Sequence, residues 1–204
     1  MRKRLPQVTL IAFGTTNLDG MAKSLEVSTL GIEFADAKLI SSVPCNGIDE
    51  WNRNVVFRLH EFVDTSHALL IHPDGYVVHP ESWKDEWLEY DYIGSPWALP
   101  TDSFSYRDIN GKIQRVGNSV SLRSKKLMEL PSKLNMEWKA FHGYTNEDGY
   151  ICVNMRHLFE EHGCKFAPLE VAAEFGREVT LPEHKGKPFV FHRQTADNNY
   201  PIFE

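Results

Sequence analysis

The stretch from Val8 to His72 alternates between two kinds of apolar pattern, and that alternation narrows the fold more than any other feature of the chain. Val8–Phe13 is a continuous, β-rich apolar run broken by Gly14-Thr15-Thr16-Asn17. Leu18 to Leu30 carries apolar residues at helical intervals, among them Met21, Leu25 and Val27, with Asn17 or Asp19 placed to cap it. Ala37–Ile40 reads as a second short strand. Ile48 to Val63 sets Trp51, Val55, Leu59 and Val63 four apart, the stripe of an amphipathic helix. Ala68-Leu69-Leu70-Ile71 is wholly apolar, as a buried strand would be. A β-α-β-α-β order predicts an α/β fold with a mostly parallel central sheet and flanking helices.

The third strand runs into His72-Pro73-Asp74-Gly75. Open α/β sheets bind ligands beyond the carboxyl ends of their strands. His and Asp are both metal ligands, and a divalent ion held there could anchor a phosphate. The same four residues also make a strong turn sequence, and local chemistry alone favours the turn.

After Val78 the pattern becomes irregular. Pro80–Leu88 holds Trp83 and Trp87 on an expected short helix, and Tyr90–Trp97 is an aromatic segment ending in a turn. Asn110-Gly111 lies between two alternating stretches, Phe104–Ile109 and Lys112–Val116, which predicts a β-hairpin with a type I′ turn. Gly117-Asn118-Ser119 and Val120–Arg123 follow, then a helix from about Ser124 to Leu130. A helix opens at Asn146-Glu147-Asp148, runs to about His162 and is stopped by Gly163. Leu169–Phe175 is helical, Pro188–His192 is a last strand, and the remainder reads as a polar tail. No repeat or linker divides the chain, so residues 1–204 are expected to form a single domain.

With 22 basic against 28 acidic residues and a net charge of −6, the chain lacks the cationic surface a nucleic-acid binder needs. Arg2-Lys3-Arg4 precedes an apolar stretch too short for a signal peptide, with no cleavage site after it. No segment approaches the ~18 apolar residues of a membrane span. Cys45, Cys152 and Cys164 show no Cys-x-x-Cys spacing, so free thiols in a reducing, cytoplasmic setting are expected, with Cys152 buried on a helix. There is no Gly-x-Gly-x-x-Gly, no P-loop, no His-Glu-x-x-His and no Gly-x-Ser-x-Gly, which removes the usual marks of dinucleotide enzymes, P-loop NTPases, zincins and α/β-hydrolases.

Three places could carry chemistry. One is His72 with Asp74. A second is Glu147-Asp148: acids at a helix start suit its positive dipole, with Asn146 able to cap, and a carboxylate held there could equally act as a general base. The third is His192, which would share an edge with His72 and Asp74 if the strands are parallel and could complete a metal site.

Five segments in order carry a family resemblance: Val8-Thr9-Leu10-Ile11-Ala12, Tyr90-Asp91-Tyr92-Ile93-Gly94-Ser95-Pro96-Trp97, Gly117 to Ser124, Glu147-Asp148-Gly149-Tyr150-Ile151-Cys152, and Phe166 to Ala172. The chain resembles, from Val8 to His192, a poorly characterised and mostly microbial glycosyltransferase-like family, long catalogued as a domain of unknown function. That family is similar to the GT-A glycosyltransferases. The resemblance implies a GT-A-like domain with a nucleotide-binding part at about 6–78, an acceptor and catalytic part at about 79–194, and an added hairpin region. It implies that His72-Pro73-Asp74 stands where an Asp-x-Asp motif belongs, with His72 as the departure. Asp74, His192 and His72 would then hold Mn2+ or Mg2+. Ala12, Phe13, Gly14 and Thr15 would line the nucleotide base, and Asn52-Arg53-Asn54, one helix before the motif, would contact the base or its phosphates. Gly117, Asn118 and Ser119 would floor the donor sugar, Trp97 would face the acceptor, and Asp148 or Glu147 would be the base.

The activity so implied is metal-dependent, inverting transfer of a sugar from a nucleotide-sugar, a UDP-sugar by default, to a hydroxyl of a saccharide or glycan, as in polysaccharide biosynthesis. No membrane span is expected, and peripheral association with a membrane-carried precursor is compatible with this. Three other readings stay open: a metal-dependent hydrolase using His72, Asp74 and His192, a non-catalytic carbohydrate-binding protein using Trp83, Trp87 and Trp97, and a degenerate, inactive transferase with His72 in place of the expected Asp.

Overall fold

The computed structural model describes residues 2–139, 146–193 and 199–203. The elements in the first third follow the sequence pattern and extend it: β1 (Lys3–Phe13), α1 (Leu18–Ser28), β2 (Ile32–Ile40), α2 (Ile48–Arg58) and β3 (His67–Ile71). Asn17 caps α1, its side-chain oxygen accepting from the Gly20 N–H at 3.2 Å. The expected continuation of α2 to Val63 tightens into a 3-10 turn over Leu59–Phe62. Then come β4 (Tyr92–Pro96), β5 (Val116–Ser124) and α3 (Lys125–Lys133), which is capped by Ser124.

The central sheet has the order β2-β1-β3-β5-β4. It is mixed, which corrects the mostly parallel sheet expected. β1 pairs in parallel with β2 and β3, whereas β5 is antiparallel to both β3 and β4. The reason lies in the connections. A parallel neighbour needs a crossover of a dozen or more residues, usually a helix, and α1 and α2 supply it. The connection 72–91, with its short 3-10 turns Pro80–Ser82 and Asp85–Glu89, carries the chain from β3 to β4 past the place that β5 fills, and β5, next in the chain, inserts antiparallel between these two strands that run the same way.

The pleat sorts the strand residues between two layers. Val8, Leu10 and Ala12 of β1 join Leu69, Ile71, Val120 and Leu122 in the core on one face. Ile11, Phe13, Ala68 and Leu70 point the other way, toward Val55 and Leu59. On β1 and β3 the alternation of side chains therefore gives both faces an apolar lining. Trp83 and Trp87 belong to the first layer, packed edge-on against Phe189 and Phe175, so they are core residues rather than a sugar-binding surface.

The single helix expected from Asn146 to His162 is broken. One α-turn, α4 (Glu147–Gly149), passes into a π-turn over Tyr150–Asn154 and then α5 (Arg156–Glu161). Such π-bulges recur at functional sites. α6 (Leu169–Phe175) is as expected. The last strand does not join the central sheet: β7 (Val190–Phe191) pairs in parallel with β6 (Gly176–Arg177). The Asn110-Gly111 hairpin is minimal, with one bridge between Arg107 and Ile113. A type I′ turn needs positive φ at both central residues, and here Gly111 alone of the two has it, at 77°. Asp108 explains the difference: its carboxylate accepts from the Asn110 and Lys112 N–H groups and organises the loop from outside the turn.

The polar tail is docked where it is described. Phe203 stacks on Tyr76, Tyr200 packs against Phe191, and the Phe203 N–H donates to the Pro73 carbonyl at 3.1 Å.

Candidate functional site

A cavity of about 520 Å3 opens at the carboxyl ends of the parallel strands β1 and β3. This is where a parallel α/β segment leaves a crevice. Phe13, Gly14 and Thr15 from the end of β1, Trp51 from α2, and His72 and Pro73 from the end of β3 line it, with Ser119 and His192. Trp51 is fixed by donating its indole N–H to the Phe13 carbonyl at 2.6 Å. Ala12 does not reach the cavity; it is fully buried in the core beside Val8 and Leu10.

The turn reading of His72-Pro73-Asp74-Gly75 holds, and the turn also carries the site. The His72 N–H donates to the Gly75 carbonyl at 2.7 Å and the Gly75 N–H returns the bond at 3.1 Å. His72 packs its ring against Trp51 at 5.3 Å and His192 at 5.4 Å. Burial, with the neighbouring His192 and Arg123 charges, pushes the His72 pKa well below its ordinary value, so the ring is neutral at pH 7. Gly75 has to be glycine, because a Cβ there would stand 2.8 Å from His192 Cδ2 and 2.5 Å from Val120 Cγ2.

A second cavity, of about 250 Å3, adjoins the first, and His192 lines both. Adjacent residues of β5 divide between them: Ser119 faces the larger and Asn118 the smaller. The smaller one is walled by Asp148, Asn146, Glu178, Trp97 and Tyr106. Trp97 and Tyr106 stack with centroids 4.6 Å apart and planes 11° from parallel. Gly117 is not a sugar floor: a Cβ on it would fall 1.9 Å from Trp97 Cζ2, so its lack of a side chain seats the indole. Asn118 holds φ at 87°, unusual for a non-glycine residue, with its side-chain oxygen accepting from the Val120 N–H and its amide donating to Glu178 Oε2 at 3.0 Å.

The two acids of α4 have separate fates. Glu147 is buried and its carboxylate is engaged on both sides, by Arg123 Nη2 at 2.7 Å and by the Ser119 hydroxyl at 3.1 Å. Its N–H donates to Asn52 Oδ1 at 3.1 Å. Asp148 turns into the smaller cavity, where burial and the Glu147 charge push its pKa up to about 7. A carboxyl poised there can take or hold a proton near neutrality.

His72, Asp74 and His192 come together, although not through a shared parallel edge as expected. β7 delivers His192 from the small second sheet, with Val190 bridged to Val77. His192 Nε2 lies 3.8 Å from Asp74 Oδ1. His192 Nδ1 and His72 Nε2 are shielded from solvent and have no hydrogen-bond partner among the described residues. No group of three His, Cys, Asp or Glu side chains among the described residues is arranged to hold a metal ion. The three-ligand set expected from the sequence is thus not formed among the described residues.

Arg53 is elsewhere. It lines a depression between α2 and α3 with Phe57, Ser132, Met136 and Trp138. Its neighbours on α2 do reach the site, Trp51 in the larger cavity and Asn52 at the Glu147 N–H, and the sequence held a signal for Asn52: Asn52, Val55, Val56 and Leu59 form the buried stripe of α2 and its 3-10 extension, and a polar residue in such a stripe needs a buried partner. Glu178 gave no signal, since Arg177-Glu178 reads as polar loop.

A family model described as "Protein of unknown function (DUF5672)" matches residues 47–192, and the chain belongs to that family. No curated protein matches the chain. Among solved structures, one that it is similar to is the apo-form glycosyltransferase GlyE of Streptococcus pneumoniae TIGR4, at 10% identity and a TM-score of 0.42. The match covers 97% of this chain and 56% of that one, so the chain spans little more than half the length of that protein.

Proposed function

We propose that this DUF5672 protein transfers a sugar from a nucleotide-sugar donor to a hydroxyl of a saccharide acceptor. The observation that carries the reading is the pair of adjoining cavities that share His192: one at the strand ends with an aromatic wall, the other holding a carboxyl with a pKa near 7. The larger suits a nucleotide, with Trp51 for the base and the Gly14-Thr15 turn for close backbone approach. The smaller suits one sugar ring beside Trp97 and Tyr106. On this reading residues of about 6–78 form the nucleotide-binding part and the rest the acceptor part.

Asp148 is the base. It takes the proton of the acceptor hydroxyl as that oxygen attacks the anomeric carbon. The bond from that carbon to the donor phosphate oxygen breaks on the opposite face, which inverts the centre and releases a nucleoside diphosphate. Asn52, Arg123 and Ser119 fix Glu147 and thereby the turn that aims Asp148. The described lining of the larger cavity includes no Lys or Arg, so a diphosphate there needs its charge met in another way. Asp74 and His192 would hold a divalent cation, Mn2+ or Mg2+, which would supply that neutralisation.

The test is thermal stabilisation by a panel of nucleoside diphosphates and nucleotide-sugars, each with and without Mn2+. Metal-dependent stabilisation by one nucleotide, together with its release from the matching sugar donor when a saccharide is added, is the expected result. A panel that produces no shift under either condition overturns the reading.

A further inference from the structure

Glu178 is a feature of the smaller cavity that the proposed transfer leaves unused. It sits just after β6, in the connection that leads to the docked β7, and lines the cavity opposite the α4 turn. Its Oε2 accepts from the Asn118 amide at 3.0 Å. Asn118 holds that position with a backbone φ of 87° inside β5, a conformation that persists only where the surroundings enforce it and that clusters at ligand sites. Asn118 is itself locked: its other side-chain atom accepts from the Val120 N–H at 3.1 Å, and the Tyr92 hydroxyl donates to its carbonyl at 2.6 Å. β5 therefore presents a rigid amide whose free end grips a carboxylate at the cavity wall.

One hydrogen bond leaves most of a carboxylate's capacity unused. An ionised carboxyl can accept about four hydrogen bonds and donates none. Glu178 makes no ion pair among the described residues, so its remaining acceptor sites are directed at donors that would enter the cavity. Hydroxyl groups on neighbouring carbons of a sugar ring match this, because a carboxylate can take both at once. The same cavity offers the stacked Trp97–Tyr106 pair as an apolar face for the ring.

We propose that Glu178, oriented by the strained Asn118, binds two adjacent hydroxyls of a pyranose in the smaller cavity and so decides which acceptor sugar is accepted and which of its hydroxyls meets Asp148. This rests on the transferase reading for the word acceptor, but not for the binding itself. Glu178 is a positioning residue here; no bond to it forms or breaks.

The experiment uses the full chain and free sugars without nucleotide. Saturation-transfer NMR with glucose, galactose, mannose and N-acetylglucosamine would be recorded on the wild type, Glu178→Gln, Glu178→Asp and Asn118→Ala, with UDP plus Mn2+ as a separate ligand. The expected result is binding of at least one sugar that weakens by about tenfold or more in Glu178→Gln, the loss that follows when a charged acceptor is replaced. It should be partly kept in Glu178→Asp and weakened in Asn118→Ala, while the nucleotide signal does not change. Equal sugar binding by the wild type and Glu178→Gln overturns the proposal, as does a wild type that binds none of the four. Glu178→Gln keeps the shape and the Asn118 contact, so a folded variant is expected, and a melting curve for each variant identifies any that is not. Sugar binding that depends on Glu178 with no nucleotide response at all leaves this proposal standing and removes the transferase reading instead.

Discussion

Arg123 Nη2 and Glu147 Oε1 meet at 2.7 Å with each side chain 1% exposed, so an ion pair buried from solvent ties strand β5 to the turn that carries Asp148. Ser119 and Asn52 complete the shell around Glu147. A buried pair of this kind adds little net stability over an apolar substitute, yet it is costly to break from one side. It also aims the neighbouring residue, and Asp148 can point into the cavity only because Glu147 points out of it.

Arg123→Met leaves the Glu147 charge buried without its cation and is expected to cost about 3–5 kcal/mol in urea denaturation. Arg123→Met combined with Glu147→Gln should cost clearly less than the sum of the two single changes, because no unpaired charge remains. Strictly additive losses would mean that the two side chains are not energetically coupled.

Asp148→Asn is expected to lower sugar transfer by about 100-fold or more while donor binding survives. In the wild type, transfer should rise with pH through about 7, as Asp148 loses its proton. The stability effect has the opposite sense. The native pKa lies above the unfolded value of about 3.9, so folding takes up a proton between about pH 4 and 7 and stability falls as pH rises across that window. An amide in place of the carboxyl carries no such penalty, so melting temperatures of Asp148→Asn should match the wild type near pH 4 and exceed it at pH 8. A variant that melts below the wild type at pH 8 would show that the carboxylate is favoured where it stands.

Trp51→Ala and Asp74→Asn separate two contributions to donor binding. Trp51 lines the larger cavity and supports His72, so its removal should abolish stabilisation by nucleotide with or without Mn2+. Asp74→Asn should spare the metal-independent part of the shift and remove the Mn2+-dependent part, and a chelator added to the wild type should do the same. If Asp74→Asn leaves the Mn2+ effect intact, the cation is held elsewhere.

Gly117→Ala forces Trp97 to move, since the new Cβ would lie 1.9 Å from the indole. Overpacking of this sort costs about 1–3 kcal/mol, and the loss should be accompanied by a changed near-ultraviolet dichroism from the displaced ring. Gly149→Ala is the control: nothing lies within 4 Å of a Cβ there, and the residue is helical with a negative φ. Its stability should hold or rise slightly.

Much of the architecture was legible before any coordinates. Strands β1 and β3 were readable as unbroken apolar runs and helices α1 and α2 from apolar residues about four apart, whereas only the Ala37–Ile40 end of β2 was legible. The turn at His72-Pro73-Asp74-Gly75 was readable because Pro and Gly restrict the backbone locally. Glu147-Asp148 could be marked as a chemical candidate from residue type and order, and Trp97 from the family resemblance.

What the chain could not reveal locally are relations between distant segments. The direction of β5 depends on its insertion between β3 and β4, two strands that run the same way, a property of the topology and not of the strand. His192 reaches Asp74 by way of a small separate sheet, and Glu178 reaches Asn118 by way of a strained backbone. Which of two adjacent acids is paired with a cation and which faces the cavity was set by a buried arginine on the distant strand β5. Periodicity and turn chemistry are short-range and are written in neighbouring residues. Charge pairing, desolvation and cavity walls join side chains from elements far apart in sequence, so the tertiary structure alone decides them.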